Sequence, residues 1–401
     1  MDDTQTAAPD DPLPTGTTGT PGALDGVVVA DFSRVLAGPL ATMFLADLGA
    51  TVIKVEQPGS GDETRRWGPP FADGTSTYYL SVNRNKRSVA LDLGSPGGRA
   101  DAATLARRAD VVVENFRPGR LSAFGLDEPT VRASNPGVVY CSISGFGTGA
   151  GADLPGYDFV VQAMGGLMSI TGPEGGPPTK VGVAMADVLT GLHACIGILA
   201  ALEARRATGE GQRVEVNLLS SLLASLVNQG SGYAAAGVVP TAMGNRHPSI
   251  APYETLRAAD GDLAVAVGND RQFAALCDAV GLGPLADDPR FADNARRVAD
   301  REALAAALEG ALAHHGVAHW VEVLGAAGVP CGPVNDLAGA FALATRLGLA
   351  PVTTMAADAG GTVAQLSNPI RLSATPARYE RPPPGLGADD ADVLAWLRDG
   401  R

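Results

Sequence analysis

The chain has 401 residues, enough for two or more domains around a large buried core. Hydrophobic residues make up 45% and charged residues 18%, so the bulk is globular. A net charge of −13 argues against a nucleic-acid partner, while leaving room for an anionic ligand on a local basic patch.

Residues 1–22, rich in Asp, Thr, Pro and Gly, read as a disordered tail, too acidic and polar for a secretory signal. Strands are predicted over 27–31, 51–56, 88–93, 111–115 and 138–144. Helices are predicted after Pro39 to Leu48, over 97–108 and, in a shorter form, over 118–124. Strands alternating with helices imply parallel pairing and a doubly wound α/β sheet. The loop Ser33-Arg34-Val35-Leu36-Ala37-Gly38-Pro39 lacks the GxGxxG of dinucleotide binding, and no Walker loop or GxSxG elbow occurs.

A long helix is predicted from Asp187, with Val188, Leu189, Leu192, Cys195, Ile196, Leu199 and Leu202 at helical spacing and Gly209 as the stop. Asp187 stands where an N-cap would. By position alone it is a structural cap, held ionised by unpaired N–H groups and the helix dipole. No apolar run reaches membrane-spanning length without interruption, so no membrane association is expected. A short strand at 214–216 and a helix over 218–227 follow.

The texture changes at Gly230. A β-hairpin over 253–267 turning at Asp260-Gly261, then helices over 271–280 and 301–313, predict a separate α+β domain spanning 230–328. The last section, 329–401, carries another helix, a strand pair near Gly361 and a proline-rich run. The four cysteines, Cys141, Cys195, Cys277 and Cys331, form no CxxC pair, which fits reduced thiols in the cytoplasm.

Three groups invite a functional reading beside a plainer one. The basic turn Asn83-Arg84-Asn85-Lys86-Arg87-Ser88 is either a solvated loop or a phosphate-facing edge of the sheet. Phe116 and Arg117, after a strand end, either hold a planar base and a phosphate or form a hydrophobic staple. His314, His315 and His319 lack further converging ligands, so no metal site is predicted.

Five stretches in order resemble one family: Asp31 to Pro39, Asn85 to Ser88, Val113 to Gly119, the Asp187 stretch, and Cys331 to Val334. They resemble the class III CoA-transferases, which include formyl-CoA transferase and carnitine CoA-transferase, with 2-methylacyl-CoA racemase as a relative. The wording from Gly156 to Leu219 is most similar to members that exchange CoA between succinate and glutarate. The resemblance implies a Rossmann-like large domain over 23–229, a smaller α+β domain over 230–328, a C-terminal segment over 329–401 returning to the large domain, and an interlocked homodimer. It implies acyl-CoA such as succinyl-CoA and a carboxylic acid, expected to be a dicarboxylate, as substrates, with no permanently bound cofactor.

The resemblance makes Asp187 the nucleophile. It places CoA on Leu36, Ala37, Gln57, Leu91, Asp92, Leu93, Gly94, Asn115, Phe116, Arg117, Ala123, Pro155, Gly156, Tyr157 and Asp158. Arg34, Leu36 and Ala123 depart from formyl-CoA transferase, which has His, Gln and Arg there. Gly165, Gly166 and Gly191 are expected to let backbone approach the acyl group, and Arg246 with His247 to receive a second carboxylate. The rival readings are a racemase and a non-catalytic acyl-CoA-binding protein. The racemases carry His where this chain has Tyr157, and phenols, which ionise near about pH 10, are poor bases at neutral pH. Asp270 lies near the racemase's second acid.

Overall fold

The computed structural model describes residues 21–357 and 360–399. The tail expected over 1–22 lies almost wholly outside them. The chain divides into two compact units. The first runs to Gly165, resumes over Gly182–Ala236 and again from Ala350; the second comprises Gly166–Val181 and Gly237–Leu349.

The first unit is built on a six-stranded sheet: β1 Val28–Asp31, β2 Thr51–Glu56, β3 Lys86–Ala90, β4 Val111–Glu114, β5 Val139–Ser144 and β6 Arg213–Asn217. The order is β3-β2-β1-β4-β5-β6, all parallel. Val28, Val29, Val111, Val112 and Val113 are buried, as in parallel strands covered on both faces. Strand order reverses between β1 and β4, which opens a crevice beyond their carboxyl ends.

The covering helices are α1 Ala37–Asp47, α2 Pro96–Arg108, α3 Glu128–Ser134, α4 Asp158–Met164, α5 Met185–Thr208, α6 Leu218–Ala224 and α7 Val227–Ala236. The first turn of α2 is fixed by Pro96 and by the Ser95 hydroxyl, which accepts from Gly98 N–H. The left-handed Gly209 closes α5 as expected.

By length and composition alone α5 is apolar enough to cross a membrane, but its charge-free stretch runs only over 188–202, short of a membrane span as expected. Its apolar run is bounded by charged residues, Asp187 in the first turn and Glu203, Arg205 and Arg206 towards the end. It lies against α1 so closely that a Cβ at Gly191 would sit 2.6 Å from the Ala37 carbonyl oxygen, which only glycine avoids.

The second unit carries β7 Tyr253–Arg257 and β8 Asp262–Ala266, an antiparallel hairpin turning at Asp260-Gly261 as expected. A third strand, β9 Cys331–Pro333, pairs with β8. Helices α8 Asp270–Ala279, α9 Arg301–Leu312, α10 Val317–Ala326 and α11 Leu337–Arg346 accompany this sheet. Leu263, Phe273, Leu276, Leu308 and Trp320 fill its core.

The unit's bounds differ from the expected 230–328. Helix α7 carries the first unit on to Ala236, past the change of texture at Gly230, and β9 belongs to the second unit's sheet although it falls within the expected last section, 329–401. Residues 166–181 carry no periodicity to betray their place here; Gly244 N–H bonds the Gly172 carbonyl. The C-terminal helix α12, Asp390–Arg398, buries Val393 and Leu397 in the first unit's core.

Candidate active site

At the carboxyl end of β1 a buried charge network sets the loop that follows. Asp31 accepts from Ser33 N–H, from the Thr42 hydroxyl at 2.7 Å and from Lys86 Nζ at 3.1 Å. Lys54 Nζ reaches Asp62 at 2.9 Å and the Ser33 carbonyl at 2.9 Å. Burial alone would raise the Asp31 carboxyl, but Lys86 and Lys54 outweigh it and hold it below its ordinary range.

This network corrects both readings of the basic turn. Lys86 is fully buried on Asp31, Arg84 is buried on Asp47 at 2.6 Å, and Arg87 reaches Asp389 at 3.4 Å. The turn is neither solvated nor aimed at a phosphate.

The loop from Arg34 to Leu36 is tied down at its backbone. Arg34 N–H donates to Asn115 Oδ1 at 2.9 Å, and Asn115 Nδ2 returns a bond to the Arg34 carbonyl at 2.7 Å. Val35 is held at φ +69°, a left-handed conformation costly for a β-branched residue, with its N–H on Asp62 Oδ2 at 3.2 Å.

Two adjoining cavities open there. The larger, about 510 Å³, is lined by Gln57, Leu91, Asp92, Leu93, Gly94 and Phe116 together with Arg66, Arg120 and Phe124. The smaller, about 200 Å³, is lined by Leu36, Ala37, Asn115, Phe116, Arg117, Pro155, Gly156, Tyr157 and Asp187. Arg34, Glu63 and Phe116 line both. The Arg34 guanidinium pairs with Glu63 and lies 5.3 Å over the Phe116 ring, so these three form the junction. Every lining segment leaves the carboxyl end of a strand or opens a helix, as the switch-point rule requires. Ala123 and Asp158 are absent from both linings. Arg120, one 3₁₀ turn before Ala123, takes part instead.

Asp187 lies in the first turn of α5 but is not its cap. The N-cap is Ala184, which makes no side-chain capping bond. Asp158, from the start of α4, takes that role: its Oδ1 accepts from Ala186 N–H at 2.8 Å and its Oδ2 from Gln162 Nε2 at 2.7 Å. Gln162 Nε2 also reaches the Val183 carbonyl at 3.1 Å, holding the approach to the helix.

Among the described residues no donor bonds the Asp187 carboxylate and no cation pairs with it. Burial, with the Asp158 charge added, pushes its carboxyl up to about 7. The expected ionisation by the helix dipole is overruled, since a dipole contributes only about 0.3–2 kcal/mol. Burial likewise pushes the Tyr78 phenol up to about 12, with Asp187 and Asp158 contributing, so this ring stands near the pair; its edge meets Trp67 at 5.3 Å. Tyr78, Glu63 and Arg120 were not singled out in the sequence, and Arg34 was noted only as a departure from a relative; the Arg34–Glu63 pair joins residues far apart in the chain, whereas Arg120 rests on Phe124 within its own 3₁₀ turn.

Two glycines adapt the smaller cavity to close backbone packing. A Cβ at Gly156 would fall 2.3 Å from the Gly145 Cα. The expected Gly165 and Gly191 serve packing instead: a Cβ on Gly165 would meet Leu222 at 2.6 Å, and Gly191 faces α1. Gly166 lies in the second unit.

Arg246 and His247 also belong to the second unit. Arg246 is not the free cation expected, because its guanidinium is held by Glu174, Glu254 and Glu302. His247 Nδ1 accepts from Ser249 N–H at 3.1 Å. Asp270 is paired with Arg297 at 2.6 Å.

Residues 24–390 match CoA-transferase family III. The chain belongs to that family. It is 45% identical over 381 residues to a succinate–glutarate CoA-transferase of Agrobacterium fabrum, covering 93% of this chain and 95% of the relative. It is 43% identical over 363 residues to an acetyl-CoA:oxalate CoA-transferase of Acetobacter aceti, covering 90% and 92%. A crystal structure of a CAIB/BAIF family protein from Brucella suis superposes with a TM-score of 0.84 at 43% identity, covering 94% of this chain and 99% of that one. As a family III CoA-transferase the protein is an enzyme, which sets aside the non-catalytic reading.

Proposed function

We propose that this family III CoA-transferase moves CoA from an acyl-CoA, such as succinyl-CoA, to a dicarboxylic acid, with Asp187 as nucleophile. The observation that carries the assignment is a carboxylate lining a cavity with neither cation nor hydrogen-bond donor among the described residues to stabilise it. Such a group is a stronger nucleophile than one already paired. The relatives named above act on succinate, glutarate and oxalate, all dicarboxylates.

In this mechanism an Asp187 oxygen attacks the thioester carbonyl carbon. The C–S bond breaks, CoA thiolate leaves, and a mixed anhydride forms. The thiolate attacks the aspartyl carbonyl, expelling the donor acid and leaving an aspartyl-CoA thioester. The acceptor carboxylate attacks that thioester and releases CoA thiolate, which takes the acyl group from the second anhydride. Asp187 is restored as a free carboxylate. No redox step occurs and no resident cofactor is needed. Both anhydrides stay activated only if water is excluded.

The thioester end of CoA sits in the smaller cavity. Leu36, Ala37, Asn115, Arg117, Pro155, Gly156 and Tyr157 surround it, and Asp158 positions the helix that carries Asp187. The remainder of CoA crosses the Arg34–Phe116 junction to Gln57 and Leu91–Gly94. Helices α7 and α11 bury none of their residues in the chain, and Ile196 of α5 is 62% exposed. Faces of this kind support the interlocked homodimer. The four cysteines are all unpaired, which suits the cytoplasm.

The test is mass spectrometry. Wild-type enzyme incubated with succinyl-CoA and hydroxylamine should yield a hydroxamate at Asp187, and a panel of acids should yield new CoA esters, dicarboxylates first. Exchange with no adduct at Asp187 would overturn the assignment.

A further inference from the structure

We propose, on the CoA-transfer reading above, that Arg66 and Arg120 form a phosphate clamp which selects intact CoA over shorter thioesters. The charges around the larger cavity mostly cancel in pairs: Lys54 with Asp62, Glu56 with Arg65, Arg34 with Glu63. Three charged groups remain. Asp92 spends one oxygen on Gly94 N–H at 2.9 Å. Among the described residues, neither Arg66 nor Arg120 forms an ion pair with any carboxylate. In a chain with 43 acidic residues against 30 basic ones, this cavity is lined by two arginines left uncompensated.

Each is placed by its local structure. Arg66 ends the short 3₁₀ turn Glu63–Arg66, whose start is capped by Asp62. Arg120 opens the 3₁₀ turn Arg120–Phe124 and lies 5.6 Å over the Phe124 ring, an aromatic support that leaves its N–H fork unspent. A free guanidinium fork matches phosphate oxygens two at a time. Asp187 fixes the thioester in the smaller cavity, so the phosphate-bearing nucleotide end falls to the larger one. Neutral pantetheine thioesters carry nothing for the clamp to hold.

The experiment compares succinyl-CoA, its 3′-dephospho analogue and succinyl-pantetheine thioester on wild type, Arg66→Gln, Arg120→Gln and the double variant. Each single variant should raise KM for succinyl-CoA about tenfold or more, the double variant more again, with a much smaller change in kcat. The pantetheine thioester should lose far less. An effect that vanishes with the dephospho analogue assigns the clamp to the 3′-phosphate; one that persists assigns it to the diphosphate. Wild type that exchanges CoA while the double variant keeps its KM, or loses equally on pantetheine thioester, overturns the clamp alone. Wild type that exchanges no CoA overturns the transfer reading together with the clamp.

Discussion

Asp31 ends β1 and Asp187 lies in the first turn of α5. Both carboxylates are drawn out of water in the same unit, yet they are treated in opposite ways. Around Asp31 the fold supplies Lys86, Lys54 and two hydroxyls, and the group is held ionised. Around Asp187 no cation stands among the described residues, and a second carboxylate, Asp158, lies close by. Partnered charge fixes a loop in place, while unpartnered charge stays reactive. The first arrangement holds the cavity wall, and the second is the one proposed for the chemistry.

The largest effect expected from breaking this contrast is on Asp187 itself. Asp187→Ala removes the group proposed to form the anhydride, so CoA exchange should fall by at least about 10³-fold. Circular dichroism should stay that of wild type, and the unfolding midpoint should not fall below it. Exchange surviving the change would show that another group attacks the thioester.

The reciprocal change acts on the fold. Asp31→Asn leaves Lys86 buried without its carboxylate and weakens the field that holds Lys54. Breaking a buried pair from one side costs about 3–5 kcal/mol. Urea unfolding should show a loss of that size. A loss under about 1 kcal/mol would mean that the remaining carbonyl partners, Pro39 for Lys86 and Ser33 for Lys54, satisfy both ammonium groups.

Much of this was legible in the sequence, and the reasons for the rest are specific. The β1 and β2 runs, the hairpin at Asp260-Gly261 and the helix after Asp187 are local patterns of period and turn chemistry, and these survive into the structure. Asp187 was legible as a charge at a helix start. That it is not the cap depends on Asp158, 28 residues upstream of the Ala186 N–H it accepts, a partner no local pattern announces. Lys86 looked like a surface cation because its neighbours are polar; its burial comes from Asp31, 55 residues away. Residues 166–181 have no periodicity and could not be assigned to the second unit.

A third expectation links the nucleophile to stability. Burial holds the folded carboxyl of Asp187 at about 7, and unfolded it returns to its ordinary value of 3.8. Below about pH 4 both states are protonated and the group costs nothing. As pH rises towards 7 the folded state increasingly holds a charge it disfavours, and above 7 the cost is complete. Asp187→Asn should therefore match wild type at pH 4 and exceed it at pH 8 by roughly 2–4 kcal/mol. Equal stability at both pH values would mean that the carboxylate is better solvated than its setting indicates.

The smallest effect separates Asp158 as a charge from Asp158 as a cap. Asn at this position keeps an oxygen for Ala186 N–H but removes the negative charge beside the nucleophile. If ionised Asp187 is the attacking form, wild-type kcat/KM should fall about tenfold per unit on the acid side of pH 7. Burial remains the larger cause of that position, so Asp158→Asn should move the acid limb down by less than about one unit. Asp158→Ala should move it similarly but also fray the start of α5, lowering stability by about 1 kcal/mol. A limb that shifts only in the Ala variant would make capping, not charge, the means by which Asp158 acts on Asp187.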